Sequence, residues 1–177
     1  MRLASLTGKQ PGETDRLLVS VVARLRGEGF RLLGAIRTSD ASRPADYCET
    51  SLSLLPDGPV VRITQDLGAG SSACRMDAGA LEDAVGIATA RLVSDGADLV
   101  ILNKFGLSEA EGRGFRAFIG EALARDIPVL LGLSKTHRAA FEAFADRSAI
   151  SLPPDEAAIA HWCDGVLDST RAGGESV

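Results

Sequence analysis

Apolar and polar residues alternate along this chain with two different periods, and the switches between them mark out a series of elements. Leu3 to Leu6 is a short apolar opening, followed by a turn-rich loop, Thr7 to Glu13, containing Gly8, Pro11 and Gly12. From about Thr14 to Glu28, Leu17, Val21, Val22 and Leu25 recur at helical spacing, and Gly27 and Gly29 end the helix. Arg31 to Arg37 reads as a second strand, and Thr38 to Pro44 as a polar connection. Tyr47 to Leu54 and Val60 to Ile63 flank Pro56-Asp57-Gly58, a hairpin signal. After a Gly- and Ser-rich loop, Asp66 to Cys74, a helix starts near Asp77 with Leu81, Val85, Ala88 and Leu92 on one face.

Ala97 to Leu102 is apolar throughout, as suits a parallel strand covered on both faces. The pattern then predicts a helix from Glu109 to Arg125, a strand from Ile127 to Leu133 and a helix from Lys135 to Asp146. It ends with an edge strand from Ala149 to Leu152. Pro153-Pro154 stops that strand, and Asp155 caps a last helix to about Cys163, with Trp162 as its anchor. Strands alternating with helices predict a three-layer α/β fold, mostly parallel, with right-handed crossovers and an inserted β-hairpin. The expected organisation is a single domain over residues 1–168 and a flexible polar tail over 169–177.

Composition narrows the classes. A chain of 177 residues with 45% hydrophobic residues has enough length to bury a substantial core. A net charge of -5 argues against a nucleic-acid binder, which carries a basic face. No secretory leader and no run long enough to cross a membrane is visible, so the expected location is the cytoplasm. Cys48, Cys74 and Cys163 form no CxxC pair, which predicts reduced thiols and no zinc site.

Chemistry concentrates in three stretches at the predicted carboxyl edge of the sheet, where open α/β sheets hold ligands. In the first, SLTGKQPGETDRLL, Gly8 and Gly12 take the places of the two glycines of a phosphate loop, and Thr14 that of its hydroxyl residue. Glu13, however, stands where the lysine belongs, and Lys9 lies at the wrong offset. An ordinary strand-to-helix turn and a vestigial phosphate loop both fit. In the second, Gly68, Gly70, Ser71 and Ser72 precede a helix, and Arg75 could add a bidentate contact to an anion. Cys74 reads either as a soft ligand or nucleophile, or as a small packed residue. In the third, ADLVILNKFGLSEAEGRG, the strand stops in a loop with Asn103 and Lys104. Lys104 could contact an anion, and Glu109 or Glu111 could orient water or a metal ion. The bland alternative is favourable carboxylates in a first helical turn. His137 and His161 have no metal-like partner at helical spacing.

Four segments, ETDRLLVSVVARLRGEGFRLLGAIR, QDLGAGSSACRMDAGALEDAV, ADLVILNKFGLSEAEGRGFR and the IPVLLGL strand, resemble an uncharacterised bacterial domain family encoded beside molybdenum-transport and nitrogen-fixation genes. That family is distantly similar to the thermostable nucleoside triphosphatases of P-loop fold. The resemblance implies a P-loop-like fold with a degenerate phosphate loop. In the triphosphatases the strand matching Asp98 to Leu102 has an acidic end, whereas this chain has Asn103 and then Lys104. The implied function is an anion-binding accessory protein, taking a nucleotide or an oxyanion such as molybdate or tungstate through Arg75, Lys104 and amides of 8–12 and 68–74. The alternatives are a triphosphatase with a divergent loop, using magnesium at Thr14, Lys9 or Lys104 on phosphate and Glu109 or Glu111 on water, and a non-catalytic module that docks on a transporter or metalloenzyme component. Phe115 and Phe118 are expected on an exposed helix face that could support a homodimer.

Overall fold

The computed structural model describes residues 1–37, 50–65 and 75–174. Outside these lie the polar connection from Thr38, the start of the first hairpin strand at Tyr47 and the Gly- and Ser-rich loop with Gly68, Gly70, Ser71, Ser72 and Cys74.

Five strands form the parallel body of a sheet: β1 (Leu3–Leu6), β2 (Leu32–Arg37), β7 (Leu99–Phe105), β8 (Val129–Leu133) and β9 (Ala149–Leu152). The hairpin strands β3 (Ser51–Leu55) and β4 (Val60–Arg62) extend it antiparallel, giving the order β4-β3-β2-β7-β8-β1-β9. A separate two-residue ribbon pairs β5 (Thr64–Gln65) with β6 (Arg75–Met76).

Helices cover both faces because the central strands are apolar on both. Leu99 and Ile101 pack with Leu17, Val21 and Leu25 of α1 (Glu13–Gly27) and with Ile159, Trp162 and Cys163 of α6 (Glu156–Gly174). Val100 and Leu102, one residue out of phase, pack with Leu81, Ala88 and Leu92 of α2 (Ala78–Asp95), Phe118 and Ile119 of α4 (Arg116–Ala124), and Phe141 of α5 (Arg138–Ala145). The expected three-layer, mostly parallel α/β architecture with an inserted hairpin is the one observed. No described helix is long and apolar enough to cross a membrane.

Four elements differ from expectation, each for a local reason. The strand expected to stop at Leu102 continues to Phe105, because Phe105 is fully buried and packs edge-on against Phe141 at 5.3 Å between ring centroids. Asn103 and Lys104 are therefore strand residues rather than loop residues. The expected helix from Glu109 to Arg125 is two helices, α3 (Leu107–Ala110) and α4. Between them Gly112 and Gly114 hold positive φ of 86° and 58°, which a helix cannot use. The segment after Ser134 opens with a 3₁₀ turn, Lys135–His137, before α5. The last helix runs past Cys163 to Gly174, because Val166 and Leu167 continue the buried spacing of Ile159, Trp162 and Cys163. Phe115 and Phe118 are buried at 4% and 1% exposure, packed edge-on against each other, so they offer no dimer face.

Candidate functional site

The carboxyl edge of the sheet holds two distinct arrangements. The first is the loop from β1 into α1. The helix begins at Glu13 without a side-chain cap, after Gly12 at φ 77°. Glu13 folds back over the loop instead. Its Oε2 accepts the backbone N–H of Lys9 at 2.5 Å and of Gln10 at 3.3 Å. The Thr14 hydroxyl oxygen accepts the N–H of Gly8 at 2.9 Å. Loop amides ahead of a helix are the groups that would receive a phosphate, and here the chain's own side chains occupy three of them. Those loop amides, Lys9 first, hold the Glu13 carboxyl below its ordinary value of 4.5. A lowered folded-state value means this contact is present above pH 4.5 and is lost as pH falls through the folded value. Glu13→Ala should therefore unfold at lower denaturant than the parent at pH 7. The gap should close in acid, as urea melts across pH would read; an unchanged gap at low pH would mean the carboxylate is not what holds the loop.

The spacing is also not that of a phosphate loop. Three residues, Lys9, Gln10 and Pro11, separate Gly8 from Gly12, and counting back from Gly12-Glu13-Thr14 puts Thr7 in the first glycine's place. Thr7 donates its hydroxyl to the carbonyl of Leu133, which ties the loop to β8.

The second arrangement is a cavity of about 560 Å³ over the ends of β2 and β7. Leu52, Ile63, Leu81, Leu102 and Phe115 form its apolar wall, and Arg37, Asn103, Lys104, Ser134 and His137 its polar one. Asp15, in the first turn of α1, organises the junction between loop and cavity. Its Oδ1 accepts the Asn103 side-chain amide at 2.6 Å, and its Oδ2 lies 3.7 Å from the Arg37 guanidinium. An aspartate in place of Asn103 would face Asp15 with like charge, so the amide at the strand end is what lets α1 and β7 meet there. Lys104 has no ion-pair partner among the described residues. The buried Nδ1 of His137 has no hydrogen-bond partner among them either.

The candidate carboxylates are placed differently from expectation. Glu109 is 5% exposed and borders the cavity, but its Oε2 accepts the Gly106 N–H and its Oε1 the Phe115 N–H, both at 3.0 Å. It closes the loop between α3 and α4. Glu111 is paired with Arg113 and does not line the cavity. Arg75 is exposed on β6 and is not among the lining residues either, although its neighbour Met76 is. Of the expected contacts, Asn103 and Lys104 reach the cavity. Gly8, Lys9, Gly12 and Thr14 belong to the self-bonded loop. Among the described residues no group of three or more His, Cys, Asp and Glu could hold a metal ion. The loop does not fit magnesium with a triphosphate: Thr14 is engaged by Gly8, a carboxylate replaces the lysine, and the β7 end carries an amide. Cys163, the one cysteine among the described residues, is fully buried on α6, and that burial pushes its thiol up to about 12, leaving it unreactive.

The family described as "Protein of unknown function (DUF2478)" matches residues 3–162. The chain belongs to this family. It is also 29% identical over 163 residues to a "Molybdenum import ATP-binding protein ModC 2" of Bradyrhizobium diazoefficiens; the match covers 91% of this chain and 18% of that protein. So the chain spans less than a fifth of the curated relative's length. In three dimensions it resembles the crystal structure of THEP1 from the hyperthermophile Aquifex aeolicus, with a TM-score of 0.59, 14% identity and 96% of each chain covered. It likewise resembles the solution structure of a human cancer-related nucleoside triphosphatase, with a TM-score of 0.63, 13% identity, and 97% and 98% of the two chains covered. These likenesses establish the P-loop nucleoside-triphosphatase fold.

Arg37, His137 and the cavity-lining Thr50 and Thr64 were absent from the sequence-predicted site. Arg37 was within reach of the same rule that found Lys104, since it is the last residue of a parallel strand. Asp15 and Asn103 are 88 positions apart, and no local pattern joins them.

Proposed function

We propose that this chain is an anion-binding accessory protein on a P-loop-like fold, hydrolysing nucleotide weakly or not at all. It would bind a nucleotide or an oxyanion of the molybdate and tungstate kind. The observation that carries this reading is the Glu13 carboxylate lying on the loop amides, while Arg37 and Lys104 line a separate cavity at the same sheet edge. The negative end of a ligand is thereby favoured at the cavity and opposed at the loop. The name of the relative from Bradyrhizobium supports a link to molybdenum import, and with it a cytoplasmic setting and docking to a transporter component.

A thermal-shift series with ATP or GTP plus magnesium, molybdate, tungstate, sulfate and phosphate tests the reading. A ligand at about one hundred times its dissociation constant stabilises by roughly 2.7 kcal/mol, a rise of about 5–10 °C in a chain of this size. Stabilisation by at least one of these anions, reduced in Lys104→Met, is the expected result. No shift from any of them would leave the docking module as the better description. The likeness to triphosphatase structures favours a second reading, a triphosphatase with a divergent loop. That reading requires magnesium-dependent phosphate release, which the self-bonded loop predicts to be absent or slow.

A further inference from the structure

The cavity and the two kinds of anion named above differ in character. A tetrahedral oxyanion is small and polar on every side, and sites for it are lined by amides, hydroxyls and guanidinium groups. This cavity, at about 560 Å³, falls within the range of roughly 300–1,000 Å³ typical of pockets for organic ligands. One part of its wall is hydrocarbon and aromatic, from Leu52, Ile63, Leu81 and Phe115. An oxyanion placed there would leave that wall facing water, and its own oxygens would lose hydration against carbon.

The cationic part is separate and small. Among the described residues Lys104 is unpaired, and the ion-pair contact of Arg37 is a loose one with Asp15, 3.7 Å away and on a side chain still 39% exposed. Both line the cavity near the carboxyl ends of adjacent parallel strands, β2 and β7. His137 adds a buried Nδ1 with no partner among the described residues.

On this basis we infer that the cavity takes an organic anion: one acidic group, phosphate, carboxylate or sulfonate, held by Lys104 and Arg37, on an apolar or aromatic body packed against Phe115, Leu81 and Ile63. The inference rests on the anion-binding reading above and narrows it. A nucleotide would satisfy it through its base and sugar; molybdate, tungstate and inorganic phosphate would not.

The test uses the full chain and three probes: the aromatic sulfonate 8-anilinonaphthalene-1-sulfonate, the neutral N-phenyl-1-naphthylamine, and sodium molybdate. The sulfonate should bind one per folded chain. Lys104→Met should weaken it by about tenfold, the loss expected for a charge-assisted contact, and leave binding of the neutral probe unchanged. Molybdate should not displace it. A cooperative melt of the variant at the parent's midpoint shows that the exposed substitution has not loosened the core. If molybdate displaces the sulfonate and stabilises the chain through Lys104, the organic-ligand inference is overturned while the anion site survives. If the sulfonate binds equally well to Lys104→Met, the inference is overturned on recognition. When, in addition, no nucleotide or oxyanion stabilises the protein, the anion-binding reading falls with it.

Discussion

Replacing Glu109 with alanine should cost stability, about 3 kcal/mol, rather than remove a catalytic group. Two backbone amides, Gly106 N–H and Phe115 N–H, donate to its two oxygens inside the protein, and the structure gives neither another acceptor. Each amide left buried and unsatisfied costs roughly 1–3 kcal/mol. Glu109→Gln should fall between, because its amide nitrogen would confront one of the two donors while its oxygen serves the other. Phe115 would be freed along with its amide, and Phe115 lines the cavity, so ligand affinity should fall in step with stability. Thermal denaturation of the two variants checks this, with an expected drop of about 6–12 °C for alanine, given a slope of about 2–4 °C per kcal/mol. A parent-like melting temperature with abolished phosphate release would reverse the assignment and return Glu109 to the water-orienting role.

The contrast between Glu109 and Glu13 shows what the sequence makes legible. Strand and helix periods carry over long apolar runs, so the parallel core strands and the face of α1 can be read directly from Leu17, Val21 and Leu25 or from Leu99 to Leu102. Glu13 is also readable as a misfit, a carboxylate where a phosphate loop needs a cation. Its actual position is not, because whether it points outward or back onto Lys9 and Gln10 depends on loop geometry that spacing does not encode. Glu109 and Glu111 look alike in sequence, two residues apart in a polar stretch. One is buried because Gly112 and Gly114 turn the chain and bring the Phe115 amide back to it; the other is left in solvent with Arg113. The continuation of α6 past Cys163 was visible in Val166 and Leu167, but the polar residues from Asp168 obscured it.

The cavity and the loop are also mechanically joined, and that junction was beyond sequence reasoning. Asp15 starts on α1, holds Asn103 at the end of β7 and sits near Arg37 at the end of β2. A change in how the loop meets the helix therefore bears on where the cationic side of the cavity stands. Glu13, two residues earlier on the same turn, fixes that geometry from the loop side. Asp15 thus links the self-bonded loop at the start of α1 to Asn103 and Arg37 in the wall of the neighbouring pocket.

The sharpest probe of that junction is Gly132→Ala, expected to cost about 3 kcal/mol and to weaken ligand binding in the cavity. Gly132 lies on β8 between β7 and the start of α1, and a Cβ there would stand 2.1 Å from the Asn103 carbonyl oxygen and 2.7 Å from the Thr14 methyl carbon. Backbone on one side and the first turn of a helix on the other leave little room to relax, and overpacking of this kind costs about 1–3 kcal/mol or somewhat more. The displacement falls on Asn103, so the 2.6 Å bond to Asp15 should lengthen or break, and Arg37 should lose its positioning partner. Gly120→Ala is the matched control. It lies in α4 with nothing within 4 Å of the added carbon, and should stabilise by about 0.5–1 kcal/mol through helix propensity. Urea denaturation of both variants, with sulfonate titration at a urea-free reference, separates the two effects. A Gly132→Ala protein as stable as the parent would mean that β7 and α1 can part without cost, and the coupling between loop and cavity would be lost with it.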